Sequence, residues 1–257
     1  MENKEDAHKI LSIASLAGTI ILENGGEVYR AEDTVTRICE SRENINNVDV
    51  FATPNALFVS FNFKGDIITN LRRSKNPTIN LNKIEMINDF SRNFVNNSIG
   101  LDEARSLLLE IKNQKNQSRL NKIIPGSIAS IAFSFILGGG INEAFATGIS
   151  SFFMLVLLDR ISRLKLTFFI NIFIGAFAAS LFAYITVFLN ISNDLDTIVI
   201  ASIMTLVPGV SITNAMRDTL SGDFVSGLTR LTEAIVISLA IVMGVGLVLN
   251  FYLRGLI

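Results

Sequence analysis

The sequence predicts an α+β domain followed by an all-α polytopic membrane domain of about five transmembrane helices. The first domain covers residues 1–122 and the second covers residues 123–257. Residues 1–122 hold 32 of the 45 charged side chains, and the other 13 fall mostly in short gaps between apolar runs. No charge occurs over residues 167–193 or 197–216. About 20 apolar residues at roughly 1.5 Å rise match the roughly 30 Å hydrocarbon layer of a bilayer, so the second domain is expected to cross a membrane.

Periodicity and turn residues order the first domain as two helices, a short sheet and two more helices. Apolar residues recur at helical spacing before Asn24-Gly25-Gly26, which is expected to end the first helix. Strict alternation over residues 56–63 predicts the central strand. The remaining predicted elements are a helix over about 28–38, strands over 48–51 and 67–72, and helices over 81–94 and 101–111. The polar segment 113–121 is predicted to be a linker to the membrane domain.

The membrane domain divides into five candidate spans, at about 123–140, 141–158, 166–189, 197–208 and 231–253. The placement of Lys and Arg sets their orientation through the positive-inside rule. With the first domain inside, the cytoplasmic loop 159–165 holds three Lys or Arg, whereas the outer loop 190–196 holds none. The segment 209–230 returns to the cytoplasm with two Arg. Arg254, at the outer C-terminus, is the exception to this five-span topology.

Composition argues against several classes of function. The formal net charge of −1, with no basic stripe, argues against nucleic-acid binding. A single cysteine, Cys39, and a single histidine, His8, can form neither an internal disulfide nor a thiolate or histidine metal site. We therefore expect no metal and no cofactor. The polar start Met-Glu-Asn-Lys-Glu-Asp predicts no cleaved signal peptide and a cytoplasmic first domain.

Polar groups collect between the fourth and fifth spans, and this segment is the candidate binding site. Pro208 with Gly209 interrupts a helix and frees backbone carbonyls, as in the broken helices that build transporter sites. An arginine there could hold a carboxylate in a bidentate contact. The candidate binding residues are Pro208, Asn214, Arg217, Asp218, Asp223, Arg230 and Glu233, together with Asn171 in the third span. The alternative is an ordinary cytoplasmic loop, in which the arginines anchor the topology and Arg230 forms a surface ion pair with Glu233.

For each of three polar residues, the sequence leaves two interpretations open. Asn171 could contact substrate or make a hydrogen bond between helices. Asn214 could cap a helix or act as a second ligand. Glu143 would be solvated if it lies in the outer turn, whereas a deeper position would suit a proton-coupling carboxylate.

The first domain offers a weaker case for chemistry. Arg30 with Glu32 and Asp33 is expected to be a structural ion-pair cluster, with a ligand site as the alternative. A hydrolase would need a nucleophile beside a base, and Ser60 is present without a histidine. A membrane-anchored hydrolase with its active site in residues 1–122 is the main alternative from another functional class.

Two groups of residues resemble the signature of the threonine/serine exporter family. The first is Leu206-Val207-Pro208-Gly209 followed by Asn214, Arg217-Asp218, Ser221-Gly222-Asp223, Gly227, Arg230 and Glu233-Ala234. The second is Gly25-Gly26-Glu27 with Arg30 and Glu32-Asp33, and Thr53-Pro54 and Arg72-Arg73 agree with it. The resemblance covers nearly the whole chain. It implies a transporter, with a cytoplasmic domain and a membrane domain that exports a small amino or carboxylic acid.

The resemblance also implies which partner and which membrane the protein has. Longer family members have about twice as many spans, so this chain resembles one half of a split exporter, completed by a smaller polytopic membrane partner. Such a subunit is expected in the bacterial plasma (inner) membrane, with its N-terminus in the cytoplasm. The subunit is expected to assemble with this partner, and a homo-oligomer is the alternative. A scaffold that only assembles its partner is a further alternative.

The resemblance leaves two substrate classes open, threonine or serine and a dicarboxylate such as succinate. Arg217 or Arg230 would bind the substrate carboxylate. Asp218, Asp223 or Glu233 would pair with these arginines or carry a proton coupled to the proton-motive force.

Overall fold

The structure is a computed structural model, and it describes residues 3–74, 78–97, 99–114, 120–164 and 166–255. These residues are mostly helical, with a small antiparallel sheet. The α-helices are α1 (Lys4–Glu23), α2 (Val28–Glu40), α3 (Leu81–Asn96), α4 (Leu101–Asn113), α5 (Leu120–Ile136), α6 (Ile141–Ile161), α7 (Phe168–Phe188), α8 (Leu195–Ile203), α9 (Gly209–Leu220) and α10 (Phe224–Leu253). The strands are β1 (Ile45–Thr53), β2 (Ala56–Phe63) and β3 (Asp66–Arg73), and 3₁₀ turns cover Ser162–Leu164 and Met204–Leu206.

Two compact units divide the chain. The first combines Met1–Lys115 with Val210–Leu231, and the second combines Asn116–Gly209 with Thr232–Ile257. Helix α10 supplies its first two turns to the first unit and the rest of its length to the second. Most of the candidate binding residues therefore fold together with the N-terminal elements.

The start of the membrane domain at residue 123 stays a prediction. The predicted linker over residues 113–121 lies partly outside the described residues, at 115–119. Helix α4 continues to Asn113 and helix α5 begins at Leu120, so both ends of that segment are helical.

Helix α1 is the centre of the first unit. It is apolar on nearly all sides, as expected of a helix enclosed by its neighbours, and it contacts α2, α3, α4, β2 and β3. A Cβ atom on Gly18 would lie 2.6 Å from Val35 Cγ2 and 2.8 Å from Leu57 Cδ2. The glycine therefore lets α2 and β2 approach the helix closely. Burial of each large apolar side chain here contributes about 1.5–3 kcal/mol to folding.

The sheet has the strand order β1-β2-β3, with both neighbouring pairs antiparallel. The alternating residues of β2 are buried as the sequence pattern predicted: Leu57, Val59, Phe61 and Phe63. Strand β1 begins at Ile45, three residues earlier than predicted, because a bulge between Asn46 and Asp49 interrupts the alternation there. The elements from α1 to α4 follow the predicted order.

The second unit contains α5 to α8 and most of α10. Three helical segments are long and apolar enough to cross a membrane: Ile141–Leu164, Phe168–Phe188 and Phe224–Leu253. A fourth span is possible in length and composition if two shorter helical segments are counted as one. These segments are Leu195–Leu206 and Gly209–Leu220, and the break between them is at Val207-Pro208. Helix α5 is apolar but has only 17 residues. The described residues thus hold three or four such spans, and the five-span topology stays a prediction.

Close packing of small residues joins the long helices of this unit. A Cβ atom on Gly244 in α10 would lie 2.6 Å from the carbonyl oxygen of Phe173 in α7. Ala176 and Ala179 of α7 are fully buried, in one apolar cluster with Ile237 of α10. Glycine and alanine therefore set the approach of α7 and α10, as is usual in helical membrane domains.

Candidate functional site

The turn between α1 and α2 presents two backbone carbonyl groups. The Gly26 amide donates to Ile21 O at 3.0 Å and the Gly25 amide donates to Leu22 O at 3.3 Å, which is the Schellman ending of α1. Gly25 has a φ of 84°, and a Cβ on Gly26 would lie 2.4 Å from Ile21 Cγ2. Both positions require glycine, and the carbonyls of these glycines stay free for other partners.

Helix α9 carries its polar residues on one face. Asn214, Arg217 and Asp218 are spaced by three and four residues, and such positions are neighbours on a helix surface. A Cβ on Gly227, in the first turn of α10, would lie 2.1 Å from Thr219 Oγ1 in α9. Glycine at this position therefore lets α10 lie directly against α9, so that Arg230 shares the face of Asp218.

The polar face of α9 and α10 meets the α1–α2 turn within the first unit. Asn214 Nδ2 donates to Gly25 O at 2.9 Å, and Arg230 Nη2 donates to Gly26 O at 2.7 Å. These hydrogen bonds join residues about 190 to 200 positions apart in the chain. We call Gly25, Gly26, Glu27, Val28, Asn214, Arg217, Asp218 and Arg230 the motif junction.

A second layer of the junction consists of charged pairs. Glu27 accepts hydrogen bonds from Arg217 Nη1 and lies 2.8 Å from Arg30 Nε. Asp218 accepts from Arg230 Nε at 3.0 Å and from the Val28 amide at 3.4 Å, and so it also caps the start of α2. Of these three ion pairs, only Arg217–Glu27 joins residues distant in the sequence, since Arg30 lies three residues after Glu27 and Arg230 lies twelve residues after Asp218.

Burial separates the two arginines of the junction. The side chains of Asp218 and Arg230 are 0% and 8% exposed, so this ion pair is internal. The Arg217 side chain is 53% exposed, whereas its partner Glu27 is 9% exposed. Arg217 is thus the more exposed of the two arginines, whereas Arg230 is buried and bonded to Asp218 and to Gly26 O.

The family model described as "Putative threonine/serine exporter" matches residues 12–252 of the chain. The chain belongs to the threonine/serine exporter family. It is therefore a membrane protein of a transporter family and not an enzyme, and the membrane-anchored hydrolase suggested as an alternative is not supported.

Two curated relatives of this exporter-family chain carry the same name, "Probable succinate transporter subunit YjjP". The Klebsiella aerogenes protein is 22% identical over 255 residues, which are 98% of each chain. The Escherichia coli K12 protein is 22% identical over 253 residues, again 98% of each chain. No solved structure matches the chain.

Local charge lowers the pKa of the Glu27 carboxyl group in this exporter-family chain. Burial opposes ionisation, but the backbone hydrogen bond of Glu27 and the charges of Arg30 and Arg217 outweigh it. Glu27 is therefore ionised at neutral pH and acts as an internal carboxylate ligand of Arg217.

Glu32, one turn further along α2, has the opposite environment. Its Oε1 accepts a hydrogen bond from the Ala52 amide at 2.8 Å. Burial is the main cause that raises the pKa of this carboxyl, and the negative charges of Asp223 and Asp218 add to the effect. The predicted ion-pair cluster of Arg30 with Glu32 and Asp33 is wrong, since Arg30 pairs with Glu27 and Asp33 pairs with Arg37.

The Glu32→Gln variant is expected to be more stable than the wild type at pH 7.5 and to lose part of the pH dependence of stability. A carboxyl with a raised folded-state pKa stabilises fully below its unfolded-state pKa, and this contribution disappears as pH rises through the folded-state value. Glutamine keeps an oxygen acceptor for the Ala52 amide but carries no charge. Thermal unfolding midpoints of the full chain in detergent at pH 5 and pH 7.5 measure the difference.

Asp33→Asn is the matched control for this variant, because Asp33 lies next in sequence and its side chain is 59% exposed. No gain in stability is expected from this variant, because the Asp33 side chain is accessible to water and pairs with Arg37. A Glu32→Gln protein that is less stable than the wild type at pH 7.5 would contradict the assignment of Glu32 as an electrostatically unfavourable carboxylate.

The remaining predicted binding residues lie outside the junction. Asp223 is partly exposed in the turn between α9 and α10 and acts on Glu32 through its charge. Pro208, Glu233 and Asn171 belong to the second unit, where Pro208 is buried and Glu233 is exposed. Asn171 Nδ2 donates to Leu166 O at 3.4 Å, a local contact with the segment just before its own helix. Their roles as ligands stay predictions.

Glu143 closes the first turn of α6. Its Oε2 accepts from the Gly140 amide at 2.9 Å, and its Oε1 accepts from Ser192 Oγ at 2.7 Å. Both carboxylate oxygens thus have hydrogen-bond partners in the second unit, and the geometry is that of a helix-capping residue.

Sequence reasoning did not assign the α1–α2 turn to the site. Gly25-Gly26-Glu27 was interpreted as a helix ending, which it is, and its second role as the partner of Asn214, Arg217 and Arg230 has no local pattern. The one indication in the sequence was that the α1–α2 turn and the α9–α10 segment both carry residues of the same family signature.

Proposed function

We propose that this chain is a subunit of a secondary exporter that moves a small acid out of a bacterium across the plasma (inner) membrane. The observation that carries the proposal is the family match over nearly the whole chain, together with the meeting of both signature segments in one charged junction. The substrate is threonine or serine, or a dicarboxylate such as succinate, and export is coupled to the proton-motive force. The name of the two relatives favours the dicarboxylate.

The substrate carboxylate is proposed to replace Glu27 as the partner of Arg217. Every candidate substrate carries a carboxylate, and Glu27 presents the same group to the half-exposed guanidinium. Exchange of one carboxylate for another keeps the arginine paired at each stage and so avoids an isolated charge at the site. The Asp218–Arg230 pair is proposed to hold the junction in shape during this exchange.

The proposed topology is multi-pass, with five spans and the N-terminus in the cytoplasm. Residues 1–122 form the cytoplasmic domain and residues 123–257 form the membrane domain. The segment 209–230, which the distribution of Lys and Arg assigns to the cytoplasm, folds into the same compact unit as the N-terminal elements, and this supports a common side for both.

A smaller polytopic membrane protein is the proposed partner, and it supplies the second half of the exporter. The relatives are named as transporter subunits, which supports a shared assembly, and a homo-oligomer is the alternative. A chain with three to five spans has few helices with which to enclose a pathway alone.

Deletion of this chain in its native host is expected to raise the intracellular level of one candidate acid and to lower its rate of efflux. Succinate, threonine and serine are loaded in labelled form, and efflux is compared between the wild type, the deletion strain and a strain complemented by the full chain. Unchanged efflux of all three acids would overturn the proposed function. Loss of efflux with the partner still present and folded would exclude a purely assembling role.

A further inference from the structure

Hydroxyl side chains in the second unit fall into two groups. Serine and threonine on a helix commonly donate to the backbone carbonyl three or four residues earlier, and this satisfies the hydroxyl where no water is near. Four buried serines of α5, α6 and α7 do so at 2.8–3.0 Å: Ser127, Ser150, Ser151 and Ser180.

The second group has no hydrogen-bond partner among the described residues. Ser130, Ser134, Thr147 and Ser202 are each 0% exposed, and their hydroxyl oxygens are unpartnered. The hydroxyl oxygen of Thr205, in the 3₁₀ turn after α8, is likewise buried and unpartnered. Since buried polar groups in proteins are nearly always hydrogen-bonded, five such atoms in one unit require an explanation.

Three of these hydroxyls lie on helices α5 and α6, which pack against each other. Ser130 and Ser134 are four residues apart and share one face of α5. A Cβ on Gly148 of α6 would lie 2.9 Å from Ile131 Cδ1 of α5, so the residue after Thr147 touches the residue after Ser130. Ser130 and Thr147 therefore lie at a similar level of the α5–α6 contact, and Ser134 lies one turn further along, where a Cβ on Gly139 would be 2.7 Å from its Oγ.

Helix α8 adds the fourth hydroxyl. It contacts both α5 and α6, and Ala146 of α6 packs in one cluster with Ile198 and Val199 of α8. Ser202 follows Ile198 by four residues, on the same face of α8. We call Ser130, Ser134, Thr147, Ser202 and Thr205 the hydroxyl seam, which runs where α5, α6 and α8 meet.

We propose that the hydroxyl seam is a transit site for the exported acid, whose carboxylate oxygens accept hydrogen bonds from the seam. This inference rests on the proposed function and adds a second site to it, separate from Arg217. Each hydroxyl offers one donor and two acceptor positions, which suits a carboxylate and the other polar groups of a small acid. The exported acid would also provide hydrogen-bond partners for these hydroxyls as it passes.

The absence of charge from the five seam side chains suits transit. A site on a conduction path must bind well enough to admit the solute and weakly enough to release it. Neutral hydroxyls meet this requirement better than arginine, which would retain a carboxylate. A cation would instead need a carboxylate ligand, and Glu143 at the start of α6 already uses both oxygens within the protein.

The first experiment measures efflux of labelled succinate and labelled threonine from cells that express the full chain in its native host. Thr147→Val and Ser202→Ala are each expected to lower efflux about tenfold, since each removes one donor from the path. Their thermal unfolding midpoints should equal or exceed that of the wild type, because an unsatisfied buried hydroxyl has been removed. Ser180→Ala, on a serine bonded within its own helix, is the control and should leave efflux unchanged.

The second experiment does not depend on the substrate. In a Cys39→Ala parent, Ser202→Cys and Thr147→Cys are treated with a small water-soluble methanethiosulfonate, and Ser180→Cys is the matched buried control. Labelling at positions 202 and 147 but not at 180 supports a path open to polar solutes. A seam closed to the reagent, with wild-type efflux in Thr147→Val and Ser202→Ala, overturns the inference.

The two experiments separate the inference from the function on which it rests. If the wild type exports neither acid while the seam cysteines are labelled, the proposed substrates are wrong and the seam stands as a polar path. If the wild type exports an acid and the seam variants lose stability instead of efflux, the hydroxyls are structural and the transit site is wrong.

Discussion

The Arg217→Gln variant is expected to reach the membrane at wild-type abundance and to lose export, by about 100-fold or more. Arg217 is the half-exposed arginine of the motif junction and already holds one carboxylate, that of Glu27. Charge-assisted hydrogen bonds contribute about 1.5–3 kcal/mol each, a bidentate contact has two, and about 1.36 kcal/mol corresponds to a tenfold change in rate. Efflux of labelled succinate and threonine, normalised to the amount of membrane-inserted protein, measures the loss.

Arg37→Gln is the matched control for this variant. Arg37 is also paired with an acidic residue, Asp33, and its side chain is 41% exposed, but it lies outside the motif junction. Its replacement should leave export unchanged. Normal export by Arg217→Gln would remove this arginine from the proposed site.

Glu27→Gln distinguishes exchange of carboxylates from a purely structural pair. If Glu27 competes with the substrate for Arg217, its neutral variant should export at a lower substrate concentration than the wild type. If the Glu27–Arg217 pair only holds the fold together, both single variants should be equally impaired and show the same loss of protein abundance.

The elements of the first unit could be predicted because their signals are local. Helix α1 is a long apolar run that ends at two glycines, and β2 alternates strictly from Ala56 to Phe63, so each pattern contains its own period and ending. Strand β1 was predicted too short because its first residues, Ile45 and Asn46, precede a bulge that breaks the alternation.

The motif junction could be predicted only in its parts. Asn214, Arg217, Asp218 and Arg230 were identified as a polar group near a broken helix, yet their partners lie at the α1–α2 turn. Periodicity describes neighbours along the chain and says nothing about which distant turn a side chain reaches. The interpretation of Arg230 and Glu233 as a surface ion pair failed for that reason, because Asp218 is the ion-pair partner of Arg230.

The hydroxyl seam illustrates a further limit of sequence. Ser130 and Ser180 are both serines in apolar helices, and nothing in the sequence distinguishes them. The difference is that the Ser180 hydroxyl donates to Ala176 O, whereas the Ser130 hydroxyl has no partner among the described residues. Which partner a hydroxyl finds depends on three-dimensional structure that the sequence pattern does not contain.

Removal of one partner from the Asp218–Arg230 pair is expected to destabilise the protein by about 3–5 kcal/mol. Both side chains are buried, and Arg230 Nε lies 3.0 Å from Asp218 Oδ2. Asp218→Asn leaves the Arg230 guanidinium buried without a counter-charge, and Arg230→Met leaves the Asp218 carboxylate in the same position. Thermal and denaturant unfolding of the full chain in detergent measure the loss.

Asp33→Asn is the comparison for an exposed pair. Asp33 and Arg37 are spaced by four residues on α2 and are both largely accessible to water. Such pairs contribute about 0.3–0.5 kcal/mol, so the effect of this variant should be close to the error of measurement. An equal loss of stability in Asp218→Asn and Asp33→Asn would show that burial of the Asp218–Arg230 pair contributes little to the free energy of unfolding.

The double variant Asp218→Asn with Arg230→Met separates the cost of an unpaired charge from the value of the pair itself. Each single change leaves one buried charge without a counter-charge, whereas the double change leaves none. The double variant should therefore be more stable than either single variant. Export by the double variant then has a clear meaning. Restored stability with export still lost would show that the pair takes part in transport, and restoration of both would show that it acts only by holding the α1–α2 turn against α9 and α10.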